Sequence, residues 1–522
     1  MITAVQHSPF HSDVIARPDR RTKVTALILG AVGSILAATG SWIPSLWGDE
    51  VTSVLSAERS LPSLFTMLGH VDAVHGTYYL FLHFWVGVFG ASPFSVRFPS
   101  AVAAGVMVAG VVLLGARLGG PRMGLIAGVI AIVLPRTTYM GEEARGYAMS
   151  AACAVWLTLL LVKLVSDLTP RRHLWVLYGI GVAVCGYVFL FSLLVVVAHG
   201  ALVLSLRRRW LTKTWARSLG LGLVLALPVI IYGASERNQI AFLADRSDAT
   251  FADITVGQWF GNDATAIVAW SLILTAIAIP LIGHLRARLQ PTGSSWFRAE
   301  AERGPRFVLL IATWLVAPTT ILIAVNAIHA IYSSRYLSFC VPAAALVIAS
   351  LLTRIRRSWM AGAVVAALAA TSASSYLHDR TPYAKNGSDW AVDAAVIQAN
   401  AHSGDGVIFD ESARPSKDPR LAMGGYPAAF ADLKDIEIKS PWYDTTGWRD
   451  TVYPLSDVTN RLAGVGTVWV IEYRAAGTAA DSYDQSELAE LGYRVTKTFS
   501  EHSSVIFEWV DHHGSLDGIP RR

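Results

Sequence analysis

The chain has 522 residues, 53% hydrophobic and only 16% charged, with 17 Trp and a formal net charge of +5. Soluble domains carry roughly 25% charged residues, so this deficit, with a mean hydropathy of +0.44, excludes a soluble enzyme and indicates an integral membrane protein. The basic residues are scattered between apolar runs and make no basic face, which excludes nucleic acid as a partner.

The N-terminal segment ends in "RPDRRTK" and leads into the first apolar run, residues 24–43. A signal peptide would have a shorter apolar core and a small-residue cleavage site. "SWIPSLW" offers none, so the run reads as a retained helix. Ten further apolar runs follow, at 96–116, 123–134, 148–165, 174–189, 192–206, 219–231, 264–282, 307–325, 337–352 and 360–370. That gives about eleven transmembrane helices, some completed by flanking residues.

Orientation follows from Lys and Arg. With the N-terminus in the cytoplasm, every second loop should be basic. Those loops are "GARLGGPRMG", "DLTPRRH", "RRRWLTKTWAR", "HLRARLQPTGSSWFRAEAERGPR" and "TRIRRSW", and all five are. The alternation holds only if "TYYLFLHFWVGVFG", residues 77–90, does not span. At about fourteen aromatic-rich residues it is too short to cross and is expected as a helix lying in the interface. Cys153, Cys185 and Cys340 sit in apolar runs and read as small buried hydrophobes.

From residue 378 no spanning run occurs. "DWAVDAAVIQANA" has helical spacing, "GDGVIFD" and "TVWVIEY" read as buried strands, and "SELAELGYRVTKTFSEHSSVIFEWV" reads as helix, strand, turn, strand. This alternation predicts a small α/β domain with a partly parallel sheet. The expected organisation is a cytoplasmic tail at 1–23, a membrane domain at 24–377 whose extracytoplasmic loop 44–95 holds interfacial helices, and an extracytoplasmic α/β domain at 378–522.

Four polar clusters then fall on one side of the membrane: Asp49 and Glu50; Asp72 and His75; Glu142, Glu143 and Arg145 in "YMGEEARGYAM"; and Arg335 and Tyr336 in "YSSRYL". Charged groups near the hydrocarbon mark substrate paths or relays more often than not. Each cluster also has a plain reading. Asp49 and Glu50 could cap a helix, Glu143 and Arg145 could be an interfacial ion pair, and His70 reads as a wetted loop histidine. The convergence of all four on one face favours function.

The order "DE" after the first helix, "HVDAVHGTYYLFLHFWVGVFGASPFSVRFPSA", "EEARGYAM" and "SSRYL" resembles the GT-C glycosyltransferases, in particular the family 39-like branch of protein mannosyltransferases and aminoarabinose transferases. There the second element commonly reads His-Pro-Pro-Leu-Tyr-Tyr and the third Glu-Ala-Arg-x-Tyr; here "HGTYY" replaces the two prolines. The resemblance implies inverting transfer of a hexose or pentose from a polyprenyl-phosphate sugar to a cell-envelope glycan, lipid or protein, on the extracytoplasmic face of the plasma membrane. It implies Asp49 as the base, with Glu50 auxiliary and Glu143 supporting the reaction centre. Arg145, Arg335 and Tyr336 are expected at the donor phosphate, since Arg binds phosphate with a planar fork. Asp72, His75 and Tyr78 are expected toward the acceptor. Asp49, His75 and Glu143 are also candidate ligands for a divalent ion, and the resemblance leaves open whether one is used. The share of Ala, Val, Gly and Arg is that of a high-GC bacterium such as an actinomycete, which points to mannose or arabinose carriers. The alternatives are a transporter or flippase of lipid-linked sugars and a non-catalytic envelope scaffold. The former predicts midspan charges and internal repeats.

Overall fold

The computed structural model describes residues 18–167, 171–239, 243, 249–289, 305–474 and 485–512. Most of the expected N-terminal tail and the last dozen residues, where no regular structure is expected, lie outside them. So does most of the long basic loop after residue 289.

Fifteen of the described α-helices lie between residues 20 and 378: α1 (Arg20–Ala38), α2 (Gly48–Glu58), α3 (Leu61–Leu68), α4 (Gly76–Phe89), α5 (Pro93–Gly119), α6 (Pro121–Val133), α7 (Pro135–Gly141), α8 (Tyr147–Ser166), α9 (Arg172–Val188), α10 (Val195–Ser205), α11 (Arg209–Ser235), α12 (Asp263–Leu289), α13 (Pro305–Asn326), α14 (Val341–Leu352) and α15 (Ser358–His378). Among the described residues, eight helical segments are long and apolar enough to cross a membrane, and the bent pair α6–α7 makes a ninth. Two shorter apolar helices, Arg172–Val188 and Leu190–Ser205, fill the remaining apolar runs. The chain is a multi-pass membrane protein. Helix α4 occupies the aromatic stretch expected not to span, and its fourteen residues leave it outside the set of candidate spans.

The 64° bend between α6 and α7 has a local cause. Pro135 disfavours the helical region for the residue before it, and Leu134 is extended at φ −66°, ψ 125°. Two compact units result, one of Met1–Thr39, Asp72–Tyr78 and Arg97–Leu377, the other of Gly40–Val71, Tyr79–Val96 and His378–Arg522.

In the first unit small residues let helices approach closely, as membrane packing requires. A Cβ on Gly105 would lie 2.0 Å from Ser34 Oγ and 2.3 Å from the Gly30 carbonyl oxygen, so α1 and α5 touch backbone to backbone. The buried His199 on α10 is held from both sides: Thr158 Oγ1 is 2.9 Å from Nε2 and the Tyr178 hydroxyl 2.9 Å from Nδ1. Trp215 Nε1 donates to that hydroxyl at 3.0 Å. One polar chain thus ties α8, α9, α10 and α11, and the histidine is structural.

The second unit is built on a five-stranded sheet in the order β2-β1-β5-β7-β6, with β1 Gly406–Phe409, β2 Lys434–Asp435, β5 Thr467–Tyr473, β6 Tyr493–Ser500 and β7 Ser504–Asp511. A small antiparallel pair, β3 Ile438–Ser440 and β4 Thr451–Val452, stands apart. Strand β1 pairs parallel with β2 and β5, while β7 pairs antiparallel with β5 and β6. This is the partly parallel sheet expected from the alternation of helix and strand, with Ile408, Val468, Val470 and Trp509 in its core. Helix α2 packs on this unit: Val51 and Leu55 sit where side chains on Gly425 and Gly424 would be.

A charge network lies beside β2. Arg420 Nε donates to Glu411 at 2.7 Å, its Nη1 pairs with Asp435, and Arg449 Nη1 reaches Asp418 at 3.0 Å. Burial pushes the Asp418 carboxyl up to about 6, with the charge of Glu411 adding to the effect and Arg449 opposing it. A raised acid favours the folded state fully below its ordinary value near 4, and that contribution is lost as pH rises through 6. Between pH 4 and 7 the stability of wild type relative to Asp418→Asn is therefore expected to fall, by about 2–3 kcal/mol at 1.36 kcal/mol per unit. Thermal unfolding of both proteins across that range checks this, and a pH-independent gap would contradict it.

Candidate functional site

The candidate residues fall in both units. In the first, the bend at Pro135 and the break after α7 set the geometry. Helix α7 ends at Gly141, and "EEARG" turns the chain into α8, with the Arg145 N–H donating to the Glu143 carbonyl at 2.8 Å. Gly146 is the residue before α8, and it has no room for a side chain: a Cβ there would lie 3.0 Å from the Val188 carbonyl oxygen and 3.9 Å from Tyr78 Cβ. The tight turn buries Glu142, Glu143 and Arg145 to 0%, 0% and 6% exposure. Ser100 Oγ donates to the Arg145 carbonyl at 3.2 Å and anchors the turn to α5.

From the far end of the unit's sequence a 3₁₀ helix, Ser334–Cys340, brings in Arg335 and Tyr336. Arg335 Nη1 meets Glu143 Oε1 at 3.4 Å, with Arg335 18% exposed and Glu143 buried. Tyr336 stacks on Phe191 at 5.2 Å and lies 5.7 Å from Phe189. Phe189 in turn packs edge-on against Tyr147 at 5.2 Å and stacks with His75 at 6.3 Å. Arg335, Tyr336, Glu143 and Arg145 all act electrostatically on the Tyr147 hydroxyl. The result is a buried carboxylate and two cations beside an aromatic wall, close to the ends of several membrane helices.

Asp72 holds the loop before α4 in a left-handed conformation, φ 63°. The loop is tied to the end of α11: the Asp72 N–H donates to Gln239 Oε1 at 3.1 Å and the Ala73 N–H to Glu236 Oε2 at 2.9 Å. Burial raises the Glu236 carboxyl above its ordinary value, and the nearby Asp72 charge adds to this. His75, stacked with Phe189, and the buried Tyr78 join the aromatic side of the cluster, and Asp72 sits in the loop that leads to them. His70 is exposed, with Nδ1 2.9 Å from the Thr66 carbonyl oxygen, which suits a wetted loop histidine.

Asp49 and Glu50 belong to the second unit, in the first turn of α2. Neither is the cap. That position is Trp47, which makes no side-chain capping bond, so a capping role does not account for the two acids. They complement the helix dipole. Glu50 is fully buried and Asp49 partly so. Among the described residues no group of three or more His, Cys, Asp or Glu is gathered to hold a metal ion.

Sequence reasoning missed Phe189 and Phe191, which lie in or beside an apolar run, where an aromatic reads as core; Tyr147 lies within the quoted "EEARGYAM" but was given no part.

Residues 77–232 match the family model described as dolichyl-phosphate-mannose-protein mannosyltransferase. The chain matches no curated protein sequence. Among solved structures it is similar to ArnT from Cupriavidus metallidurans bound to undecaprenyl phosphate, with TM-score 0.54, 12% identity, and 92% of this chain and 97% of that chain covered. The chain has the GT-C fold. The apo form of the same ArnT gives TM-score 0.54 at 11% identity, covering 92% and 97% of the two chains. The oligosaccharyltransferase AglB from Archaeoglobus fulgidus, in complex with an inhibitory peptide and a dolichol-phosphate, gives 0.47 at 12% identity, covering 95% and 75%. With the GT-C fold in place, the cluster around Glu143 and Arg335 stands in a molecule built from membrane helices and an attached α/β unit.

Proposed function

We propose that this chain is a membrane glycosyltransferase that moves a sugar, mannose or an arabinose-type pentose, from a polyprenyl-phosphate donor to a cell-envelope glycan, lipid or protein on the extracytoplasmic face. The observation that carries the reading is the pair of arginines, Arg145 and Arg335, set with buried Glu143 against an aromatic wall. A phosphate on a lipid needs cations at headgroup depth and an apolar surface beside them. Arg145 and Arg335 neutralise the phosphate as it leaves, and Tyr336, Phe191 and Phe189 pack the adjoining apolar groups. Glu143 orients Arg335 and faces the positive charge that develops on the sugar.

The order of motifs in the sequence, rather than any distance to the arginines, assigns the proton of the acceptor hydroxyl to Asp49. The acceptor oxygen then bonds to the anomeric carbon as the bond from that carbon to the phosphate oxygen breaks. Polyprenyl phosphate leaves, and one displacement inverts the anomeric centre. Support comes from the matched family model and from the undecaprenyl phosphate bound by ArnT. A deletion strain tests the reading through its lipids: the unused polyprenyl-phosphate sugar is expected to accumulate, and an unchanged lipid-linked sugar pool would contradict the proposal.

The proposed orientation puts the N-terminus in the cytoplasm and the residues after His378 outside. In intact cells a Cys placed in 207–213 is expected to resist a membrane-impermeant thiol reagent, while one placed on the surface of the 378–512 region reacts. Labelling of the 207–213 position would overturn the orientation.

A further inference from the structure

The second unit contains a cavity of about 180 Å³ in which the reaction proposed above gives no residue a part. Its polar wall is Asp418, Arg420, Arg449 and Asp450, and its apolar wall includes Trp442 and Met423. Leu55 and Glu58 close it from α2, the helix whose first turn carries Asp49. Glu58 follows Asp49 by nine residues, about 14 Å along a helix axis.

The walls are held rigidly. Asp418 accepts from the Arg420 N–H at 2.9 Å and from Arg449 at 3.0 Å, and Asp450 accepts from the Trp442 N–H at 2.7 Å. Arg59, itself 1% exposed, binds the carbonyls of Trp442, Thr445 and Gly447 and lies over the Trp442 ring at 5.6 Å. Yet the network is incomplete. Arg420 is 5% exposed, and its Nη2 donates no hydrogen bond; Glu437 Oε2 is 3.9 Å from it. Arg449 Nε also lacks an acceptor. A guanidinium buried to this extent with a spare donor is costly unless a ligand completes it.

Charge and size select the ligand. Glu58, Asp418 and Asp450 on the wall, with Glu411, Asp435 and Glu437 behind Arg420, outnumber the two arginines, which disfavours phosphate and carboxylate. No three of the acids are gathered as metal ligands among the described residues. Planar donors and acceptors side by side suit hydroxyls, which both donate and accept, and an aromatic wall suits the C–H face of a ring. Pockets for whole drug-sized ligands run to roughly 300–1,000 Å³; this one suits a single ring.

The geometry points to the cavity as a sugar-binding subsite that holds one neutral ring of the acceptor glycan by way of α2. It rests on the glycosyl-transfer reading in taking the acceptor as its occupant. The test uses the purified full-length protein and a panel of neutral methyl glycosides, among them mannoside, arabinoside and glucoside, with saturation-transfer NMR as the readout. Wild type is expected to bind at least one. Met423→Trp, which fills the cavity and leaves the charge network intact, is expected to weaken that binding at least tenfold while melting as wild type does; Trp442→Ala is expected to weaken it as much and to lower the melting temperature, because it also removes the ring under Arg59. In transfer assays Met423→Trp should raise the acceptor KM at least tenfold and leave the donor KM unchanged. No glycoside bound by wild type, or undiminished binding in Met423→Trp, overturns the subsite. Binding needs no donor, so a wild type that binds glycosides but transfers no sugar would sink the transferase reading and leave the subsite standing.

Discussion

Replacing Asp49 by Asn is expected to cut sugar transfer by about 10²–10⁴-fold, roughly 3–5 kcal/mol of barrier, the usual contribution of a positioned base. The change keeps size and polarity and removes the proton acceptor. Its effect on stability is expected to be small. Asp49 is the second residue of α2 and is not its cap, and Asn keeps the polar side chain while giving up a charge–dipole interaction of about 0.3–1 kcal/mol. Glu50→Gln, at a fully buried neighbouring position, should affect stability more and turnover less. Steady-state transfer rates and melting temperatures for the two variants separate the roles. Normal folding and a wild-type rate in Asp49→Asn would remove the base from the mechanism.

Arg335→Ala is expected to weaken donor use by about one to two decades, the roughly 1.5–3 kcal/mol of a charge-assisted contact. It also strips Glu143, which is fully buried, of the guanidinium 3.4 Å away. Breaking a buried pair from one side costs about 3–5 kcal/mol of stability, so a loss of activity alone would be ambiguous. The double variant Arg335→Ala with Glu143→Gln resolves it. Removing the second charge should restore much of the stability and none of the donor affinity. If the double variant recovers the donor KM, Arg335 serves only to hold Glu143.

Much of the architecture was legible because its causes are local. Apolar runs of near-bilayer length and the helix–strand rhythm of "GDGVIFD" through "SSVIFEWV" are properties of short stretches. The bend at Leu134 also follows from one proline. The pairing of Arg335 with Glu143 is different. The partners are 192 positions apart, and no periodicity connects them; the polar clusters and the family resemblance singled out each residue, but neither paired them. Phe189 and Phe191 were hidden for a second reason. In a membrane chain an aromatic beside an apolar run carries no signal until the break between α9 and α10 shows which way it faces. The Arg420 network was hidden for a third. Nothing in "DESARPSKDPR" or "GWRD" marks a buried pair, and only the fold buries Arg420 to 5% exposure.

The most direct test is a single reaction with purified protein in lipid: a synthetic polyprenyl-phosphate sugar, radiolabelled in the sugar, with a cell-envelope extract as acceptor. The account predicts that label moves to the acceptor with release of polyprenyl phosphate, and that Arg145→Ala and Arg335→Ala slow this by about one to two decades. No transfer from either mannosyl or arabinosyl donors, or transfer equally fast in both arginine variants, would contradict it.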